Sequence, residues 1–190
     1  DGIICIDDKI YPRSSGNTEH AFAFKMVISD QIVEAKVINV IWTPSKDGLL
    51  KPRVQIEPIE VSGVKINFAT GKNAKFIDKN KIGLGAVIKI IRSGDVIPEI
   101  IEVVKPAVEP LFPTEDYEWN STHVDIMLKN KEESNTVLEK NISGFFKILE
   151  VEGLGPGNIK KIIEAGYNSV AKILSMNKED FLQVEGFKDK

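Results

Sequence analysis

The sequence has 190 residues, of which 42% are hydrophobic and 28% charged, and its formal net charge is −3. These values are typical of a globular protein with one large or two small domains, and they argue against a uniformly basic nucleic-acid binder. No run of eighteen apolar residues and no signal-peptide pattern occurs. The single cysteine, Cys5, excludes an internal disulfide and cannot form a zinc site by itself, so we expect an intracellular protein.

The first 28 residues predict two strands, 3–6 and 21–28, joined by a stretch rich in Pro, Ser, Gly and Asn. The first strand starts with no lead-in, which is typical of a fragment, a split subunit or a partly built chain. We expect the partner of this strand to lie outside the sequence.

Between about residues 31 and 104, short β-branched runs alternate with Gly, Pro and Asp. A turn is predicted at 43–48 and a short helical turn at 75–81. Pro98 cannot donate to a ladder, which predicts an edge or a bulge in the strand that contains it. Five strands in about seventy residues are typical of the oligonucleotide-binding (OB) barrel. The predicted strands cover residues 32–41, 53–56, 64–68, 86–91 and 97–104.

Residues 64–92 contain seven basic side chains and one acidic side chain. This local excess of positive charge predicts phosphate contacts. A solvated, lysine-rich sheet surface explains the same pattern equally well.

The next segment, around residues 105–123, is acidic and bears three prolines, which predicts a linker. Tyr117 and Trp119 lie within it. Isolated aromatic residues in a linker more often pin it to a domain than bind a ligand.

Beyond residue 124 the period of the apolar residues becomes helical. The pattern predicts a helix over 135–149, a second helix closed by Gly166 at its C′ position, and two short helices over 170–174 and 178–182. Asn177 is the expected N-cap of the last one.

The strongest local signal joins the first two of these helices through Gly153, Gly155 and Gly157. Glycines at a helix N-terminus leave backbone N–H groups unobstructed, and with the helix dipole these form a seat for phosphate that needs no side chain. An ordinary turn between two helices is the simpler alternative. However, the motif recurs about thirty residues later at 182–190, where Lys188 replaces the second glycine.

These segments together resemble the NAD-dependent DNA ligase family. Residues 92–100 (Arg-Ser-Gly-Asp-Val-Ile-Pro-Glu-Ile) resemble its barrel signature, and 1–4 and 21–25 resemble two motifs of its adenylylation domain. Further matches, in the family's order, are residues 56–59, 69–74 and 144–190.

The resemblance implies an α+β fold in four parts. Residues 1–28 would end an adenylylation (nucleotidyltransferase) domain, and 29–105 would form a five-stranded OB-fold barrel. An acidic, proline-bearing linker would cover 106–134, and a helix-hairpin-helix domain 135–190. The linker stands where cellular members carry a four-cysteine zinc module, which one cysteine cannot hold, so we expect the zinc-less type found in viruses and phages.

Several positions depart from the family pattern. Ile6 stands where a nucleotide-contacting lysine is usual, so that contact is either missing or supplied by Lys9, and Glu19 stands where an arginine is usual. In the turn that replaces the nick-binding Arg-Thr-Gly, Lys46 would stand in for the arginine. The Lys-x-Asp-Gly nucleophile motif is absent from this sequence, so the chain alone cannot form the lysine–AMP intermediate.

The resemblance implies an enzyme that seals nicks with NAD and Mg²⁺, without zinc and without a metal site in this chain. Lys25 and Asp1 are the expected catalytic residues, with Lys25 and Gly2 at the nucleotide. The expected partners are nicked duplex DNA and the adenylylation part or subunit of the ligase, but no membrane, in the cytoplasm or wherever viral or phage DNA replicates. The predicted DNA contacts are Lys46, Lys72, Asn73, Lys75, Arg92, Gly153, Gly155, Gly157, Asn158 and Lys160.

Two other classes compete with this interpretation. A non-catalytic repair scaffold would share the barrel and the hairpins, although it has no use for part of an adenylylation domain. A protein-interaction adaptor is favoured only by the acidic linker and the negative net charge.

Overall fold

A computed structural model of the chain describes residues 3–13, 15–16, 18–24, 32–61, 63–91 and 97–188. The chain divides into two compact units, one formed by residues 1–41 and 52–112 and the other by 42–51 and 113–190. The strands are β1 Ile3–Ile6, β2 Ala21–Phe24, β3 Ile32–Pro44, β4 Leu49–Val61, β5 Val64–Thr70, β6 Val87–Ile91, β7 Glu99–Lys105, β8 Tyr117–Trp119 and β9 Ile126–Leu128. The helices are α1 Ala74–Lys79, α2 Asn135–Ile148, α3 Pro156–Glu164, α4 Val170–Leu174 and α5 Lys178–Gln183, with a 3-10 turn at Lys131–Glu133.

Five strands close a barrel in the order β3-β6-β7-β5-β4, and the pairing of β3 with β4 completes the ring. Alternate residues of β4 point into it: Val54 and Ile56 are buried, Gln55 between them is half-buried, and Arg53 and Glu57 on either side are exposed. This two-residue period is that of a strand with one buried face. The predicted five-stranded OB-type barrel is therefore confirmed.

The strands β3 and β4 are longer than the sequence predicted, since each has 13 residues. The last strand is shorter, because β7 begins only at Glu99. Pro98 lies just before it and accepts a hydrogen bond from Thr70 N at 2.9 Å through its carbonyl. The expected edge or bulge at Pro98 is thus wrong. Pro98 lies just outside the strand, so its lack of a backbone N–H removes no hydrogen bond from the strand ladder.

The predicted helical turn is α1, and Asn73 caps its first turn by accepting a hydrogen bond from Phe76 N at 2.8 Å. Its end is a Schellman closure, in which Ile82 N donates to the carbonyl of Ile77 at 2.9 Å while Lys81 takes a positive φ of 46°. The helix packs onto the barrel unit through Ala74 and Ile77, both buried.

The expectation that β1 lacks a partner in this sequence is wrong. It pairs antiparallel with β2, with Ile3 opposite Phe24 and Ile6 opposite Ala21. The two strands are separated by a long turn-rich stretch, and a local pairing across such a stretch is not visible in the strand pattern alone. The part of the predicted second strand beyond residue 24 lies outside the described residues.

The segment predicted as a linker contains a β-hairpin in the second unit. Strand β8 pairs with β9, and β9 pairs with the start of β4, where Leu49 lies opposite Met127 and Leu50 opposite Ile126. Ile126 is fully buried, and Asp125 beside it forms an ion pair of 3.0 Å with Lys51. The domain limits drawn from the sequence at 106 and 134 stay a prediction.

The helices α2 to α5 of the second unit share one apolar core. It is formed by Ile142, Phe146, Ile159, Ile162, Ile173 and Val184. Asn177 caps α5 as predicted, in a reciprocal capping box with Asp180. Gly166 has a φ of 99° and lies at the C′ position of α3, also as predicted. No helix among the described residues is long and apolar enough to cross a membrane.

Candidate nucleic-acid interface

The turn between α2 and α3 is built from backbone groups. Helix α2 closes when Val151 N donates to the carbonyl of Phe146 at 3.1 Å, which places Glu150 at the left-handed C′ position with a φ of 54°. A glycine is usual there. The chain reverses again at Gly153, whose φ is 80°.

The second helix of the hairpin begins with Gly155 as its N-cap and Pro156 in its first turn. Asn158 N donates to the carbonyl of Gly155 at 3.0 Å, whereas Gly157 N has no hydrogen-bond partner within the described part of the chain. Around Gly153, Gly155 and Gly157, no atom beyond the neighbouring residues comes within 4 Å of the place a Cβ would occupy. The N-terminus of α3 is therefore open to a ligand, with the positive end of the helix dipole behind it.

Asn158, a predicted DNA contact, has a role within the hairpin. Its Nδ2 donates to the carbonyl oxygen of Gly153 at 2.7 Å. This bond spans the turn and fixes the position of Gly153 relative to the first turn of α3. Lys160 on the next turn is exposed.

The second copy of the motif shares the left-handed glycine of the first, although α5 continues to Gln183 without a residue that corresponds to the left-handed Glu150. Gly186 has a φ of 89°, close to that of Gly153, and Phe187 packs against the shared core as Leu154 does. The repeat is therefore one of structure as well as of sequence.

Lys161, which the sequence places beside Lys160 just past the first glycine turn, links the two copies. Its Nζ lies 2.7 Å from the place where a Cβ on Gly186 would stand. The first hairpin's helix thus brings a positive charge to the second hairpin's turn. Sequence reasoning missed this because the contact depends on how α3 and α5 pack.

On the barrel unit, part of the predicted basic surface is neutralised. Lys72 Nζ lies 2.9 Å from Glu99, and Lys89 Nζ lies 2.8 Å from Glu102. The hydrogen bond to Glu102 raises the pKa of Lys89 above its ordinary value. Lys75 on α1 is exposed and has no ion pair within the described residues. The number of basic residues in this part of the sequence therefore overstates the positive charge that is available to a ligand.

The structure also shows the surroundings of Asn73 and Lys46, two further predicted DNA contacts. Asn73 uses its side-chain oxygen as the cap of α1, so that atom is engaged within the protein. Lys46 lies exposed in the β3–β4 turn, where Gly48 N donates to the carbonyl of Ser45 at 3.1 Å. Asp1, Gly2, Lys25 and Arg92 lie outside the described residues.

Comparison with known proteins matches two domains in this order. Residues 34–110 match the model of the NAD-dependent DNA ligase OB-fold domain, and residues 145–190 match that of a SAM-like helix-hairpin-helix tandem.

Curated relatives match over the whole chain. A protein named DNA ligase from Acanthamoeba polyphaga mimivirus is 41% identical over 100% of this chain and 30% of its own length. Putative DNA ligase 205R of Invertebrate iridescent virus 6 is 34% identical over 96% of the chain and 29% of its own length. A DNA ligase of the bacterium Psychromonas ingrahamii is 32% identical over 100% of the chain and 30% of its own length. The chain thus spans about 30% of the length of these relatives and belongs to the NAD-dependent DNA ligase family, of which it carries the OB-fold and helix-hairpin-helix portion.

Proposed function

We propose that this chain is the DNA-holding portion of an NAD-dependent ligase that joins 5′-phosphate and 3′-hydroxyl ends at nicks in duplex DNA. One observation carries the proposal: a ligase-type OB domain is followed by a helix-hairpin-helix tandem whose glycine turn is open. A barrel and a hairpin that both hold backbone phosphates would bind a duplex without reading its sequence.

The hairpin supplies uncharged contacts. The amide of Gly157 and the positive end of the α3 dipole would bind a phosphate oxygen, and Lys160 would add a charge one turn further on. Because the amides carry no net charge, they displace few counterions. The lysines displace more, and they govern how binding responds to salt.

The barrel supplies charged contacts. Lys46 on the β3–β4 turn and Lys75 on α1 are both exposed. Lys72, Asn73 and Arg92 complete the set proposed for the barrel. The ion pair of Lys72 with Glu99 would weaken its contribution.

Lys25 and Asp1 are proposed to act on the nucleotide, Lys25 by neutralising the phosphate of AMP, with Gly2 beside it. NAD, when bound, supplies the adenylyl group. The described residues contain no group of three or more His, Cys, Asp or Glu side chains able to hold a metal ion. The proposed ligase chemistry would use Mg²⁺, which proteins commonly hold with only one or two carboxylates together with the phosphates of the substrate. The enzyme would act inside the cell, in the cytoplasm or wherever viral or phage DNA replicates.

The test is a binding titration of the 190-residue chain with a fluorescent duplex that carries a central nick. We expect tighter binding to the nicked duplex than to a single strand of the same length, and a log–log salt slope of about −3 or steeper, as three or more phosphate contacts produce. The same titration with an intact duplex shows how much of the affinity depends on the nick. Absence of binding, or an affinity that does not change between 50 and 200 mM salt, would contradict the proposal.

A further inference from the structure

Arg53 is an exposed side chain of the barrel whose position is fixed by an aromatic ring. Its guanidinium carbon lies 3.7 Å from the ring centroid of Phe68. The sheet register produces this contact: Arg53 lies opposite Thr70 on β5, and Phe68 is the diagonal neighbour two residues away on the same face.

The stacked arrangement leaves the guanidinium able to bind a ligand. Stacking occupies a flat face of the group, and its five N–H donors lie in the plane, directed away from the ring. The contact with Phe68 also limits the rotamers of a long side chain, so less entropy is lost when Arg53 binds. A planar fork held in this way matches two oxygen atoms of one phosphate.

The charge of Arg53 is also unneutralised. Three other cations of the barrel unit, Lys36, Lys72 and Lys89, form ion pairs with glutamates at 3.5, 2.9 and 2.8 Å. In the part of the chain that the structure describes, Arg53 has no carboxylate oxygen within 4.0 Å. Of these four side chains, Arg53 is the one with its full charge available.

We propose that Arg53 binds a backbone phosphate of duplex DNA and that Phe68 is its positioning residue. The inference rests on the proposed function, since it names a contact within the same DNA-holding surface. It adds to that surface a residue that the sequence motifs did not indicate.

The first test replaces Arg53 with alanine and uses Lys65→Ala as the matched control. Lys65 is exposed on the same strand pair, opposite Glu60 at the other end of β5, and its removal changes the net charge equally. We expect Arg53→Ala to weaken binding to the nicked duplex about tenfold and to reduce the salt slope by about 0.9. Lys65→Ala should change both much less. Equal losses in the two variants would overturn the proposal.

The second test is a double-mutant cycle that separates positioning from general stability. Phe68→Leu keeps apolar volume but removes the ring, and it should weaken binding about threefold when Arg53 is present and not at all in the Arg53→Ala background. Phe68→Tyr keeps the ring and should retain the original affinity. A loss of the same size in both backgrounds would remove Phe68 from the proposal.

The outcomes distinguish this inference from the proposed function. If the unmodified chain does not bind nicked duplex, the proposed function fails. If it binds but Arg53→Ala behaves as Lys65→Ala does, only the role of Arg53 fails.

Discussion

Asn141 of helix α2 donates a hydrogen bond from its Nδ2 to the backbone carbonyl oxygen of Lys46, at 3.0 Å. The neighbouring Lys140 donates from its Nζ to the carbonyl of Pro44 at 2.6 Å. The β3–β4 turn is thus attached to α2 at two points, the end of β3 and Lys46 within the turn, all inside the second unit. The turn that presents Lys46 is positioned by a helix far away in the sequence.

Replacement of Asn141 with alanine should therefore weaken DNA binding through Lys46. The lost hydrogen bond is exposed, so the free energy of unfolding should fall by only about 1 kcal/mol. We expect a two- to fivefold loss of affinity for nicked duplex, about what 1 kcal/mol or less produces, and almost none in the Lys46→Ala background. Fluorescence anisotropy and urea unfolding measure the two effects. Independent, additive losses would show that Asn141 does not act through the turn.

Replacement of Gly157 with alanine should change stability and binding in opposite directions. Gly157 is helical, and a methyl group there meets no atom within 4 Å beyond its chain neighbours and the backbone of α3, so Ala should stabilise the helix by up to about 1 kcal/mol. The same methyl stands beside the free amide at the mouth of the hairpin, and it should weaken DNA binding about tenfold, or about 1.4 kcal/mol.

Gly144 provides the control for that experiment. It lies inside α2, its Cβ position likewise has no atom within 4 Å beyond its chain neighbours and the backbone of α2, and it precedes the glycine turn by nine residues. Gly144→Ala should stabilise the protein similarly and leave DNA affinity unchanged. If Gly157→Ala bound DNA as well as Gly144→Ala does, the hairpin would not be a phosphate site.

The lysines of the barrel unit should contribute unequally to the salt dependence. Lys75→Ala removes an exposed charge without an ion pair and should reduce the log–log salt slope by about 0.9. Lys72→Ala removes a charge that Glu99 already neutralises at 2.9 Å, and its effect should be about half of that or less. The measurement is the affinity for one nicked duplex over a range of salt concentrations. Identical slopes for both variants would mean that the pair with Glu99 opens when DNA binds.

Replacement of Lys25 should affect the chemical steps of ligation but not the affinity for DNA. In the complete ligase, Lys25→Ala should impair transfer of the adenylyl group, because it removes the charge proposed to neutralise the AMP phosphate. It should leave affinity for nicked DNA nearly intact. A gel shift and a single-turnover sealing assay on the same preparation measure the two properties. An equal loss of both would assign Lys25 to DNA binding instead.

The β8–β9 hairpin should hold its shape without metal. Asn120 Oδ1 accepts hydrogen bonds from Val124 N at 3.2 Å and Thr122 Oγ1 at 3.0 Å, so Asn120→Ala should cost about 1 kcal/mol of unfolding free energy. Thr122→Ala, which removes one exposed bond, should cost less. Treatment with a chelator should leave the melting temperature unchanged. A fall in melting temperature on chelation would reveal a structural metal ion.

Much of the barrel and the helical tandem could be predicted because local patterns encode them. The alternation along β4, the cap at Asn177 and the closure at Gly166 each depend on residues close in sequence. Strand lengths were less predictable, since β3 runs to Pro44 and β4 runs through Pro52 and Pro58, whereas proline in a sequence usually marks the end or the edge of a strand.

The candidate site was harder to predict, because its side chains are fixed by contacts between distant segments. The pairing of Lys72 with Glu99 and the stacking of Arg53 on Phe68 both require the register of the sheet. That register shifts within β4 between Gln55 and Ile59, so counting residues along the strands does not give it. The open turn at Gly153 and Gly157 was predictable, since it depends on glycine itself.

The two hairpins bury their apolar residues in one core, to which the first contributes Phe146 and Ile159 and the second contributes Val184. Neither hairpin has enough apolar surface of its own to remain folded alone. The smallest piece that recombination or protein engineering can transplant is therefore the whole tandem. Because Leu154 and Phe187 of the two turns pack against that core, the core would set the distance between the two phosphates that the turns are proposed to bind.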